Sequence, residues 1–410
     1  MPLKRAQNPV TSQDFLKDQY EKCFPDGDKL SKISSLINWE RFKPILEPLF
    51  KNNGEGRPHE DVVLMMKVLV LQSWYGISDE RIERECKDRL TFQNFLGYPK
   101  KVPDARTVWV FRERIAKQPE KEKEMWGELQ RQLKKYRVKP GKVEDVAFIE
   151  KGGWRAEGVQ GPIVPISPHT GYAQDSTIID ADPGVPTEED VKRREEAKKK
   201  REERKRRKQI MLVRQQTVPQ QKNDDDKTTA ATVDLSQQQF VSAPTTPAKK
   251  IETKPRGMEA FTRRSKDGTW TKKNERSFFG YKLHTKSDLS TGYVSDFDVT
   301  TASLHDENMD LTKKGEPCVR DRGYTNGGGR GLCITMIRAS PGKPLTEKQK
   351  ELNSFLSKVR APVEHPYAVM KRIFHGGRVL VTTVQRVKVK MTFVCTCYNL
   401  FRAHTLSQLV

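Results

Sequence analysis

An α+β chain in two parts, a helical N-terminal domain followed by a mixed β-sheet flanked by helices, is predicted by three observations. Apolar residues recur at helical spacing over the first 135 positions. Later segments are β-branched runs bounded by turn residues. Between them lies a long charged and polar stretch with no face to bury. The boundaries that follow are 1–136 for the helical domain, 137–182 for the start of the second domain and its first strand, 183–257 for a charged arm and disordered linker, and 258–410 for the rest of the sheet domain. A length of 410 residues supports this division, because single cores usually stop growing at shorter lengths.

Within the first part, Pro58 to Tyr75 carries Val62, Met65, Met66, Leu69 and Val70 on one helical spacing, and Gly76 stops it. Ser78-Asp79 can cap a second helix running toward Lys87. A third piece holds Phe92, Phe95 and Leu96, and Asp104 caps a fourth with Val108, Phe111 and Ile115 on one face. Short helices with basic flanks fit either a helix-turn-helix or a plain bundle.

Residues 137 to 175, rich in Gly and Pro, read as irregular structure leading into the strand Ser176-Thr-Ile-Ile-Asp180-Ala181, which Pro183-Gly184 ends. Residues 188 to 208 hold 12 basic and 7 acidic side chains, and pairs such as Glu195 with Lys199 support a solvated helical arm. Residues 215 to 257 contain too few core formers to offset chain entropy and are expected to be disordered.

Order resumes near Trp270. Ser277 to Lys286 and Gly292 to Thr300 flank a turn and read as a hairpin, His305 to Thr312 as a short helix, and Pro317 to Arg320 as a short strand. Thr346 to Ile373 reads as a long helix interrupted near Pro362, and the tail from Val384 fits helical spacing through Val387, Met391, Val394 and Tyr398.

With 76 Lys and Arg against 54 Asp and Glu, the formal charge is +22, and a polyanion, nucleic acid first, is the expected partner. Six cysteines include no CxxC pair or zinc-like spacing, which fits a reducing cytoplasm. No apolar run approaches 18 residues and the first ten positions lack the apolar core of a signal peptide, so neither a membrane nor export is expected. Asn326-Gly-Gly-Gly329 lacks the Lys-Ser or Lys-Thr of a nucleotide loop.

Three acids stand in three settings: Asp180 at the end of a β-branched strand, Asp321 after a second short strand and Glu364 in a helix. Two divalent cations about 4 Å apart need carboxylates from separate rigid elements, with a longer Glu side chain reaching across from a helix. Asp180 is preferred as the first acid because its strand delivers it to a sheet end; Asp175, Asp182, Asp296 and Asp298 are its rivals. Arg360, Glu364 and Lys371 are spaced by four and seven residues, which brings all three near one helical face.

Several phrases carry a resemblance: Trp270-Thr-Lys-Lys, Phe279-Gly-Tyr-Lys-Leu-His284, Val299-Thr-Thr-Ala-Ser-Leu-His305-Asp306, Asp321-Arg-Gly-Tyr324 and Val359-Arg-Ala-Pro-Val-Glu364-His-Pro-Tyr-Ala-Val-Met-Lys371. From Trp270 onward the chain resembles the catalytic half of DDE transposases from family five of the bacterial insertion sequences. Residues 58 to 115, with Val102-Pro-Asp-Ala-Arg-Thr107, resemble that family's N-terminal domain. Together these cover a little over half the chain. Ser357 stands where the family has a tyrosine.

The resemblance implies a ribonuclease H-like fold and a catalytic, metal-binding set of Asp180, Asp321 and Glu364. It implies two Mg²⁺ or Mn²⁺ ions, and Arg360 and Lys371 on DNA phosphates. The implied partners are double-stranded DNA, as terminal inverted repeats and target, and a second copy of the chain on paired ends; the implied location is the cytoplasm, at the nucleoid. A nuclease without joining activity and a non-catalytic DNA-binding relic are the other readings.

Overall fold

The computed structural model describes residues 11–50, 58–136, 171–184 and 267–408, apart from 274, 322–323, 325–329, 340–341 and 343, with a scatter of residues between 192 and 207. Two compact units result, one of residues 1–183 with 263–410 and one of 184–262. In the smaller unit the described residues between 192 and 207 are helical and exposed, and Arg207 pairs with Glu203 at 3.0 Å one turn away. The expected linker over 215–257 and the irregular segment up to 170 lie outside the described residues.

The larger unit opens with helices α1 (Ser12–Cys23), α2 (Lys29–Ser34), α3 (Lys43–Leu46), α4 (Val62–Tyr75), α5 (Asp79–Asp88), α6 (Leu90–Leu96), α7 (Ala105–Lys117) and α8 (Pro119–Leu133). Helix α4 starts where the Asp61 carboxylate accepts the Val63 N–H and stops at Gly76, whose left-handed φ of 63° carries no side-chain penalty. It is apolar around nearly its whole circumference because it is buried on all sides. Asp104 caps α7 through the Thr107 N–H. Ser78 stands before α5 but makes no capping bond; Asp79 instead holds Arg112 and Gln72.

The sheet follows as β1 (Tyr172–Ala181), β2 (Thr269–Lys273), β3 (Arg276–Asp288), β4 (Val294–Thr301), β5 (Pro317–Arg320) and β6 (Leu332–Thr335), with β7 (Arg378–Val379) late in the chain. Strand β1 is central: it runs antiparallel to β3 and parallel to β5, and β3 pairs on its other edge with β2 and β4. Strand β6 lies parallel beyond β5. Helices α9 (Glu347–Arg360), α10 (Glu364–Arg372) and α11 (Val384–Ser407) complete the unit. A 3-10 turn over Ala361–Val363 separates α9 from α10, where Pro362 withholds an N–H.

Two sequence expectations are corrected and one strand is added. Strand β1 begins at Tyr172, four residues before Ser176, because partners on both edges order polar Gln174 and Asp175; the Gln174 amide itself bonds Met309 O and Leu311 N. The helix expected over His305 to Thr312 is a single 3-10 turn, Asp306–Asn308, since Ser176, Lys282 and Gln174 hold the segment against the strands. Strand β6 was not anticipated at all; its pairing with β5 supplies what four residues cannot signal alone.

The helices and the sheet share one core, which runs from Leu30 to Leu406. Helix α11 joins them, lying against α4, α7, α8 and β4. Its Asn399 side chain satisfies both backbone groups of Val294, and Trp126 of α8 donates to Ser295 O at 3.2 Å. Cys395 and Cys397 are buried free thiols in α11. Among the described residues no helix is long and apolar enough to cross a membrane.

Candidate functional site

The parallel register of β1 and β5 matches Ala173 with Val319 and Gln174 with Arg320. One step further along both strands stand Asp175 and Asp321. Two carboxylates thus stand side by side at the end of β5, Asp175 from within β1 and Asp321 just past β5.

A second core clamps α9 above that end. Leu352, Leu356, Val359 and Val363 pack on Ala173, Val319, Ile334 and Met336, and the Asn353 side chain bonds both backbone groups of Ile337. Helix α10 is fixed next to it by Tyr367, whose hydroxyl accepts from Thr285 Oγ1 at 2.7 Å. Thr285 is the β3 partner of Asp175, so this bond ties Glu364's helix to the strand pair that carries Asp175.

Arg360, the last residue of α9, reaches into the site. Its Nη1 lies 3.2 Å from Asp175 Oδ2 and 3.7 Å from Asp321 Oδ1, and its Nη2 lies 3.3 Å from Glu364 Oε1. One guanidinium is therefore the meeting point of three carboxylates from β1, the end of β5 and α10. Burial pushes the Asp175 carboxyl up to about 6, with the Asp321 charge adding to that and Arg360 opposing it.

Of the residues singled out in the sequence, Asp321, Glu364 and Arg360 come together here. Asp180 and Lys371 do not. Asp180 is five positions beyond Asp175 on β1, about 16 Å along the strand, and the odd spacing turns it to the other face. There it pairs with Gly280 of β3 and Arg378 of β7, and Lys371 is its charged neighbour. Asp298 is engaged by Lys388 of α11 at 2.8 Å.

The aspartate of β1 that stands with Asp321 and Glu364 is Asp175, one of the rivals to which the sequence reading preferred Asp180. Ser176 and Thr177 follow Asp175, whereas Ala181 and Asp182 follow Asp180. Irregular structure was expected up to that point, which hid the strand that carries it.

The donor set is chemically suited to a hard divalent ion, three carboxylates on separate rigid elements around a position already taken by a cation. Among the described residues no three acidic, His or Cys side chains form a ready-made metal cluster; the carboxylates approach Arg360 rather than one common point.

Comparison with known proteins bears on what such an arrangement does. Residues 18–114 match the family described as Transposase domain (DUF772), and residues 238–400 match the family described as Transposase DDE domain. The chain is similar to the transposase for insertion sequence element IS1106 of Neisseria meningitidis serogroup B, at 29% identity over 186 residues. That alignment covers 42% of this chain and 58% of the relative. No solved structure matches.

Proposed function

We propose that the chain is a DDE transposase of an insertion sequence, which cleaves DNA at the ends of a mobile element and joins the freed ends to a target; the two family matches and the similar transposase support this reading. The observation that carries the proposal is the convergence of Asp175, Asp321 and Glu364 on Arg360. Asp175, rather than Asp180, is proposed as the first acid of the set.

These three carboxylates would hold Mg²⁺ or Mn²⁺. When bound, two such ions would polarise the phosphodiester and offset the charge on the attacking and leaving oxygens. The side chains of the protein do the rest. Strands β1 and β5 present Asp175 and Asp321 on fixed backbone, and the Thr285–Tyr367 bond keeps Glu364's helix from drifting. Arg360 neutralises the three acids while no ion is present. With that charge balanced by bound ions, the planar fork of Arg360 would be free to grip a phosphate of the DNA end. Duplex DNA is the proposed partner, and two copies of the chain are proposed to pair two ends.

The test uses the full chain, Mg²⁺ or Mn²⁺, and DNA carrying the inverted repeats that flank its gene. Joined products are expected. Hydrolysis without joining would indicate a nuclease, and binding without cutting a non-catalytic relic.

A further inference from the structure

The end of β1 away from Asp175 is ringed by cations that the acid cluster does not use. Asp180 lies at its centre, between Gly280 of β3 and Arg378 of β7, with its N–H donated to Gly377 O at 2.9 Å. The stem of Lys371 packs on the same segment, its Cγ 3.6 Å from where a Cβ on Gly377 would stand. Lys371, Arg372 and Arg378 are all exposed.

Past Gly280 the sheet narrows to two strands. Strand β1 pairs only with residues 280–288 of β3, whereas Arg276 to Phe279 pair with β2 alone. The result is a short ribbon whose tip sets Lys273 opposite Arg276 and Lys272 opposite Ser277, all exposed. Only glycine fits at the point where the ribbon leaves β1, since a Cβ on Gly280 would stand 2.1 Å from Ile179 O.

Six cations, Lys272, Lys273, Arg276, Lys371, Arg372 and Arg378, thus stand toward this end against three acids, Asp180, Asp182 and Glu275. Although its head is exposed, desolvation along its packed stem holds the Lys371 ammonium below its usual range; Asp180 works to raise it and Lys273 to lower it further. An excess of exposed like charges repels itself unless a polyanion lies across it.

We propose that this ring is a phosphate track, in which Lys273, Arg276 and Arg378, extending outward from the Lys371 that the family resemblance already sets on DNA, hold the sugar–phosphate backbone of duplex DNA leading away from the acid cluster, with Asp180 as their counter-ion when DNA is absent. The spacing suits it. Lys371 follows Glu364 by seven residues, about 10 Å along α10, and one strand of duplex DNA carries a phosphate about every 3.4 Å of axis. The track therefore starts about three phosphates from the acids. The inference rests on the reading of the acid cluster as the cleavage site.

The test measures binding of the full chain to a fluorescein-labelled duplex of arbitrary sequence across a KCl series in Ca²⁺, with cleavage of element-end DNA in Mn²⁺ measured in parallel. The Lys273→Ala/Arg276→Ala double variant should lower the log–log salt slope by about 1.8 and Arg378→Ala by about 0.9, one phosphate contact each. The Lys273→Arg/Arg276→Lys exchange should restore the slope, and Asp180→Asn should tighten binding. Matching melting temperatures exclude unfolding as the cause. Unchanged slopes in a protein that still binds and cuts DNA would overturn the track alone. A parent chain that neither binds nor cuts would overturn the cleavage reading with it.

Discussion

Arg360 and Asp175 meet at 3.2 Å although 185 positions separate them in the chain, and this contact identifies which aspartate of β1 belongs with Asp321 and Glu364. Asp175→Asn should reduce strand cleavage by about a hundredfold or more, the scale of losing a preorganised charged group. Asp180→Asn should leave cleavage within a few-fold of the parent. Nicking of labelled element-end DNA in Mn²⁺ measures both, and the reverse order of effects would return Asp180 to the acid set.

Arg360 also predicts how the metal-free protein behaves. Replacing it with Ala leaves three carboxylates around an empty position, so the variant should melt lower than the parent without metal and gain more stability from added Mg²⁺. Thermal melts with EDTA and across a Mg²⁺ series give the comparison. Equal Mg²⁺ responses in parent and variant would show that Arg360 and the metal do not share a place.

Arg320 is 1% exposed and its guanidinium is held by Asp310, which also accepts from Thr312 and from the Arg330 N–H. Asp310→Asn strands a buried charge and should cost about 3 kcal/mol. Partial burial disfavours the Asp310 charge, but those hydrogen bonds and Arg320 outweigh it and hold the carboxyl down at about 2, against 3.8 as the ordinary value. A depressed folded-state value means the contribution is present above pH 3.8 and disappears as pH falls through 2. Urea midpoints should therefore drop more steeply for the parent than for Asp310→Asn over that interval.

Two glycines predict opposite signs. Gly280→Ala sets a Cβ against the Ile179 carbonyl at 2.1 Å and should destabilise by roughly 2 kcal/mol or more. Gly127 is exposed in the middle of α8 with nothing within 4 Å of an added Cβ, so Gly127→Ala should stabilise by up to about 1 kcal/mol. Chemical denaturation of both variants checks the pair.

Tyr367→Phe removes the acceptor of the buried Thr285 hydroxyl and should destabilise by about 1 kcal/mol. It should also loosen Glu364, so cleavage should fall more than global stability does. Equal cleavage rates in variant and parent would show that the bond serves packing alone.

Much of this architecture was legible locally. The buried helices α4 and α11, the Asp104 cap, the β3–β4 pair and the break at Pro362 follow from spacing, capping and ring chemistry that act within a few residues. The four-residue step from Arg360 to Glu364 set those two side chains beside each other, because helical geometry is periodic wherever the helix lies. The choice between Asp175 and Asp180 was of another kind. Both belong to one strand, and local propensity favoured the β-branched end, Thr177-Ile-Ile179, that leads to Asp180. The outcome depended on which residue of β1 came level with Asp321, just past the end of β5, and on which face met Arg360. In a strand with side-chain period two, a shift of one position reverses the face, so only long-range pairing with β3 and β5 could select Asp175.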